Sequence, residues 1–131
     1  MPDLPSTLYY ASSFLCAVTI PKHILVEFKH VYKTIAQIPS SPEYACGKPV
    51  APTGWNFGVG ILAFSSRLLA LMNLKWATRG GPSSWEEIGV IYTYLGTGAV
   101  MGCRYFRINM YSPLGILWAA PLMSTIAIHL Q

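Results

Sequence analysis

Charge is sparse in four long stretches of this chain, roughly residues 7 to 28, 54 to 76, 87 to 106 and 112 to 130, and gathers near the seams between them. Each is close to the 20 or so apolar residues that a helix needs to cross the ~30 Å hydrocarbon core of a bilayer. Lipid offers the backbone no hydrogen-bond partner, so a crossing segment must satisfy its own amides, which a helix does. The pattern predicts an all-α fold: an integral membrane bundle of four transmembrane helices, with residues 1 to 131 as one domain and no length left for a separate soluble one.

Composition supports this. Hydrophobic residues make up 53% and charged residues 11%, with a mean hydropathy of +0.41, against roughly 25% charge in ordinary soluble domains. Met1-Pro2-Asp3 lacks the basic start of a secretory signal, so the first stretch is expected to be a retained span. Ile128-His129-Leu130-Gln131 shows no lipidation or retrieval signal.

The net charge of +4 does not point to nucleic acid, because the basic residues sit at span ends. Lys22, Lys29, Lys33 and Lys48 surround the first connection and Arg104 and Arg107 the third, whereas Lys75 and Arg79 flank the second. The positive-inside bias then puts connections one and three in the cytoplasm and both termini opposite. Membrane lipids, including anionic headgroups, are the first expected partners. Cys16, Cys46 and Cys103 lack ligand or disulfide-framework spacing, and neither a metal nor another cofactor is expected.

Ser6-Thr7 reads as a cap for the first helix. Pro21 should kink that helix, and Lys22 to Lys33 reads as its amphipathic continuation. Residues 37 to 54 hold Pro39, Pro42, Pro49 and Pro52 and read as the longest loop, a surface for a partner. Ser84 with Glu87 three residues later is a capping-box pattern for span three, and Ser112-Pro113 opens span four. Gly54-x-x-x-Gly58 and Gly98-x-x-x-Gly102 are small-residue faces that suit close packing within the chain, a second copy of it, or another membrane protein. The fourth span carries little beyond apolar residues and should complete the bundle.

Arg67, about 13 positions into span two, is the most costly residue to bury in lipid and therefore a site candidate. Glu87 or Glu86 is its expected counter-ion; a bound carboxylate or phosphate and a partner helix are the alternatives. His23, Glu27 and His30 fall at i, i+4 and i+7, one face of a helix. That trio suits a solvated amphipathic end, or proton transfer with Glu27 and His23 as catalytic groups. Asn56 and Trp55 lie at a depth similar to Glu27 and, with Arg67, would bind substrate in a polar, aromatic-walled pocket suited to a cationic intermediate. Asn73 is expected near a span end, where a polar group costs little. A catalytic triad, phosphate loop, haem-ligand pair and CxxC motif are all missing from the sequence.

The run Phe57-Gly58-Val59-Gly60-Ile61-Leu62-Ala63-Phe64-Ser65-Ser66-Arg67-Leu68-Leu69-Ala70, with Tyr111-Ser112-Pro113-Leu114-Gly115-Ile116-Leu117 and Ala120-Pro121-Leu122-Met123, resembles the small four-span ergosterol-biosynthesis scaffold family. The order of spans and the long first connection are similar too. Members carry an acidic residue inside span three, where this chain is uncharged from Ile88 to Cys103. The resemblance implies a protein of the endoplasmic reticulum membrane that tethers lipid-pathway enzymes without catalysing a reaction. Two other functions suit the residues: a membrane-embedded isomerase or cyclase acting on an isoprenoid-derived substrate, and an accessory subunit of an energy-converting complex in the mitochondrial inner membrane.

Overall fold

The computed structural model describes residues 3–131. Among these the fold is entirely helical: α1 (Leu4–Val26), a π-helical turn (Glu27–Val31), α2 (Tyr32–Ala36), a 3-10 turn (Pro42–Tyr44), α3 (Gly47–Arg79), α4 (Trp85–Arg107), a second π turn (Gly115–Ala119) and α5 (Ala120–His129). Two stretches, Leu4–Ala36 and Pro42–Arg79, are long and apolar enough to cross a membrane. The last apolar helix, Gly115–His129, spans 15 residues, about 22 Å at 1.5 Å per residue, less than the length expected of a fourth crossing.

Several local expectations change. Asp3, not Ser6-Thr7, caps α1: its Oδ1 accepts the Ser6 N–H at 2.9 Å and its carbonyl the Thr7 hydroxyl. Pro5 then sits in the first turn, where its missing N–H costs nothing. The chain stays helical through Pro21 and on to Ala36. The connection also shrinks, because α3 begins at Gly47 and takes in Pro49 and Pro52. Pro49 is tolerated in a first turn, whose amides lack helical acceptors anyway, and Pro52 orphans only the carbonyl of Lys48 at the helix start. The expected loop over residues 37 to 54 is thus half helix.

The turn between α3 and α4 follows its sequence. Gly80 and Gly81, at φ 85° and 123°, both donate their N–H to the Trp76 carbonyl and end α3; only glycine takes such angles without strain. Ser84 caps α4, accepting the Glu87 N–H at 3.4 Å. The Glu87 carboxylate accepts from the Ser83 N–H, next to the amide that a standard capping box would use.

Pro121 gives the second π turn a physical rationale. The Ala120 N–H reaches back to the Gly115 carbonyl, and in that five-residue register the Ile116 carbonyl would need an N–H from Pro121, which has none. The Tyr94 hydroxyl of α4 supplies the missing bond.

The chain divides into two compact units, Met1–Ala17 with Arg67–Gln131, and Val18–Ser66. In the first, Tyr9, Trp76, Ala77, Ile91 and Ala127 form the core, with the Tyr9 and Trp76 rings tilted at 5.8 Å. Tyr9 also meets Gln131, so within this unit the start of α1, the end of α3 and the end of α5 share one end of the bundle. In the second unit, among described residues, only Glu27 and Ser66 are buried.

Many large apolar side chains face outward while several polar ones are buried. All five phenylalanines are more than half exposed, from Phe106 at 51% to Phe64 at 72%, while Ser12, Ser66, Asn73 and Ser124 are at most 1% exposed.

Candidate functional site

Four of the five sequence-derived site residues belong to the Val18–Ser66 unit, and the structure gathers them. The His23 imidazole stacks on the Trp55 indole, centroids 5.7 Å apart and planes 7° from parallel. Glu27 is 9% exposed and close enough for its charge to act on His23. Asn56 Oδ1 accepts from the Tyr32 hydroxyl at 3.1 Å, and Glu27 lies close enough to that hydroxyl to act on it. The Trp55 Nε1–H is buried without an acceptor in the chain.

Tyr32 is the member that sequence reading missed, and His30, named there on the same helical face, stands apart from the group. A regular α-helix would place His30, three residues on, beside Glu27. The turn from Glu27 to Val31 is instead π-helical, with the Tyr32 N–H bonded to the Glu27 carbonyl. Closing i to i+5 brings Tyr32 over Glu27 and leaves His30 exposed. No α-helical periodicity could have signalled this.

Chemically the group is a short polar cluster with an aromatic wall: Glu27 lies beside the Tyr32 hydroxyl, which donates to Asn56. The stacked His23–Trp55 pair offers a flat π face, which attracts cations. Among the described residues no cluster of metal-ligating side chains occurs.

Arg67 belongs to the other unit and is exposed. Of its two expected counter-ions, Glu87 is already engaged, accepting from Lys75 at 3.1 Å, from Trp76 Nε1 at 3.1 Å and from Arg79. Glu87 sits in the first turn of α4, ahead of the uncharged run from Ile88. The Arg79 guanidinium first, then the Ser83 N–H and Lys75, hold its carboxyl down to about 2.

Two further expectations are corrected in the Met1–Ala17/Arg67–Gln131 unit. Asn73 is buried, and with Ser124 of α5 it forms a polar junction of three helices. Ser124 Oγ lies 2.8 Å from Asn73 Oδ1 and 2.9 Å from Ser12 Oγ; Ser12 donates to the Ala120 carbonyl, Ser13 to Ala70 and Asn73 Nδ2 to Leu69. The fourth span therefore carries a central bond. It also receives the glycine face of α4: a Cβ on Gly98 would strike the Leu117 carbonyl and one on Gly102 the Trp118 ring, whose Nε1 donates to the Gly98 carbonyl at 3.1 Å. By contrast, a Cβ on Gly54 or Gly58 would meet nothing within 4 Å.

No protein-family model matches the chain, and neither a curated protein nor a solved structure matches it.

Proposed function

We propose that this chain is a four-crossing integral membrane protein of the endoplasmic reticulum. In this reading it catalyses nothing itself and tethers enzymes of sterol or isoprenoid/terpenoid synthesis through its lipid-facing helices. The exposed apolar surface carries the reading, most clearly on α3, where Phe57, Ile61 and Phe64 are 71%, 52% and 72% exposed around the open Gly54 and Gly58. In water such a ridge would be an aggregation hazard; in lipid it is a surface on which another helix packs closely against glycine. The compartment and the pathway rest on the resemblance of the 57–70 and 111–123 runs. Because the Gly98/Gly102 face is filled by Leu117 and Trp118, contacts to other proteins belong to the Gly54/Gly58 side.

The test is purification in mild detergent after confirming resistance to carbonate extraction. Lipid-synthesis enzymes should accompany the wild type at fixed stoichiometry and be lost from Gly58→Leu. Wild-type pathway flux in a deletion strain, or unchanged partners in Gly58→Leu, would overturn the assignment, and mitochondrial fractionation would favour the energy-complex role instead.

A second reading is supported by the clustering of Glu27, Tyr32 and Asn56 beside the His23–Trp55 stack and by the unpartnered Trp55 N–H: an isomerase or cyclase for an isoprenoid-derived substrate. Glu27 would be the acid, His23 and Trp55 the wall for a cation, and Asn56 the polar anchor. Purified protein would then turn over substrate unaided, and Glu27→Gln would abolish this with folding intact.

A further inference from the structure

Where α4 ends, the seven consecutive residues from Phe106 to Ser112 are exposed, and four of them are large and apolar: Phe106, Ile108, Met110 and Tyr111, at 51%, 61%, 45% and 55%. The turn is nevertheless firmly tied. The Met110 N–H bonds the Tyr105 carbonyl and the Asn109 N–H the Phe106 carbonyl, with Asn109 left-handed at φ 58°; these are the two bonds and the conformation of a Schellman helix stop. The Tyr111 hydroxyl donates to Asn109 Oδ1 at 2.9 Å, and the Phe106 ring stands between Tyr111 and Trp118, centroids 5.6 and 5.8 Å away. Backbone held in this way keeps Ile108 and Met110 on the outside.

Two arginines adjoin this apolar surface. Arg104 and Arg107, at i and i+3 in the last turn of α4, are exposed. At that spacing the Cβ atoms lie about 5–6 Å apart and like charges repel, a cost that an anion between them removes. The acids of the chain do not fill that role. Glu86 and Glu87 sit in the first turn of α4, with Glu87 about 26 Å along the helix from Arg104, and Asp3 starts α1 at that same far end. The Val18–Ser66 unit has no carboxylate to spare: it sets Glu27, which is buried, and Glu43 against Lys22, Lys29, Lys33 and Lys48. Among the described residues both ion pairs belong to Glu87. A second copy would bring the same two positive charges to a two-fold contact. Nucleic acid would match the arginines and leave Ile108 and Met110 in water. Basic and apolar groups side by side are instead complementary to anionic headgroups above an acyl layer.

We propose that the Arg104–Tyr111 turn is a binding site for anionic phospholipid headgroups, with Arg104 and Arg107 on the lipid phosphate and Ile108 and Met110 in the acyl boundary. The inference rests on the membrane reading above and names the lipid class taken at one end of the bundle. Arginine suits the role because its planar fork meets two phosphate oxygens at once. The charge bias of the sequence expects this connection on the cytoplasmic side, whose leaflet carries the anionic lipid.

The experiment is native mass spectrometry of the full-length protein, delipidated in detergent and titrated with phosphatidylinositol or phosphatidylcholine. The wild type should retain phosphatidylinositol about tenfold or more over phosphatidylcholine, and Arg104→Gln/Arg107→Gln should bring the two close to equal. Ile108→Ser/Met110→Ser should weaken retention of both lipids alike, which a purely electrostatic contact would not do. All four side chains are exposed and both double variants keep the Asn109 turn, so loss of folding does not account for a lost preference. No preference in the wild type, a preference that survives the arginine changes, one lost equally in Lys29→Gln/Lys33→Gln, or displacement of the lipid by inorganic phosphate or polyglutamate would overturn the proposal while leaving the tether reading standing. Release of the wild type from native membranes by carbonate would overturn the membrane reading and this proposal together.

Discussion

The unit of Met1–Ala17 and Arg67–Gln131 and the unit of Val18–Ser66 are both built from apolar helices, yet they use polar atoms and glycines in opposite ways. In the first, Ser12, Ser13, Asn73 and Ser124 are buried and bonded to backbone or to one another, and Gly98 and Gly102 are covered by α5 and its π turn. In the second, Gly54 and Gly58 are open, and the Glu27–Tyr32–Asn56 cluster ends at an exposed amide. In the proposed membrane setting, lipid rewards apolar burial little, because its tails are as apolar as leucine. Close packing and polar bonds between helices must then carry stability, and the first unit has both. The contrast teaches that one unit holds the fold, while the other keeps its small and polar groups available.

The largest effect that would break this contrast is expected at Gly98. Gly98→Ala puts a methyl into the Leu117 carbonyl, which backbone cannot easily yield, and should cost about 3 kcal/mol or more. Gly58→Ala should be neutral or stabilise by up to about 1 kcal/mol, since it only lowers backbone freedom. Thermal unfolding in detergent compares the two, and equal midpoints would erase the distinction between a packed and an open glycine pair.

An intermediate effect belongs to Ser124. Ser124→Ala leaves Asn73 Oδ1 without its donor and should cost about 1–2 kcal/mol. Thr125→Ala removes only a bond to the Pro121 carbonyl within the same helix and should change the midpoint by less than about 0.5 kcal/mol. Similar losses from both would mean that the three-helix junction does not hold the first unit.

The smallest effect is the pH dependence of Glu87. Its carboxyl is held down to about 2 from 4.5 by Arg79 and its neighbours. A depressed carboxylate contributes stability that is complete above its unfolded value and is lost as pH falls toward its folded one. The midpoint should therefore drop between about pH 4.5 and 2 in the wild type. Glu87→Gln should start lower at pH 7 and lack that step; an unchanged acid transition would show that the α3–α4 turn does not depend on this carboxylate.

Much of the local structure was legible because it depends on neighbours in sequence. The Ser84 cap, the Gly80-Gly81 turn and the continuation of α1 past Pro21 follow from capping, backbone freedom and periodicity. The pairing of His23, Glu27, Trp55 and Asn56 was also foreseeable, since those residues share a level in adjacent apolar stretches. Tyr32 was missed because one π turn changes which residue lies over Glu27. The role of Ser124 was hidden because a lone serine in an apolar helix has the same sequence signature whether it faces lipid or a second helix.

By itself, then, the sequence determined that the chain is helical, where most of its helices stop and how much of it is apolar, because those properties are set within a few residues of each position. Only the tertiary structure decided which glycine pair is covered, which carboxylate is already paired and which face of α3 turns outward. Those depend on contacts between Gly98 and Leu117, Arg79 and Glu87, and Asn73 and Ser124, and such contacts are settled by packing, which local patterns do not encode.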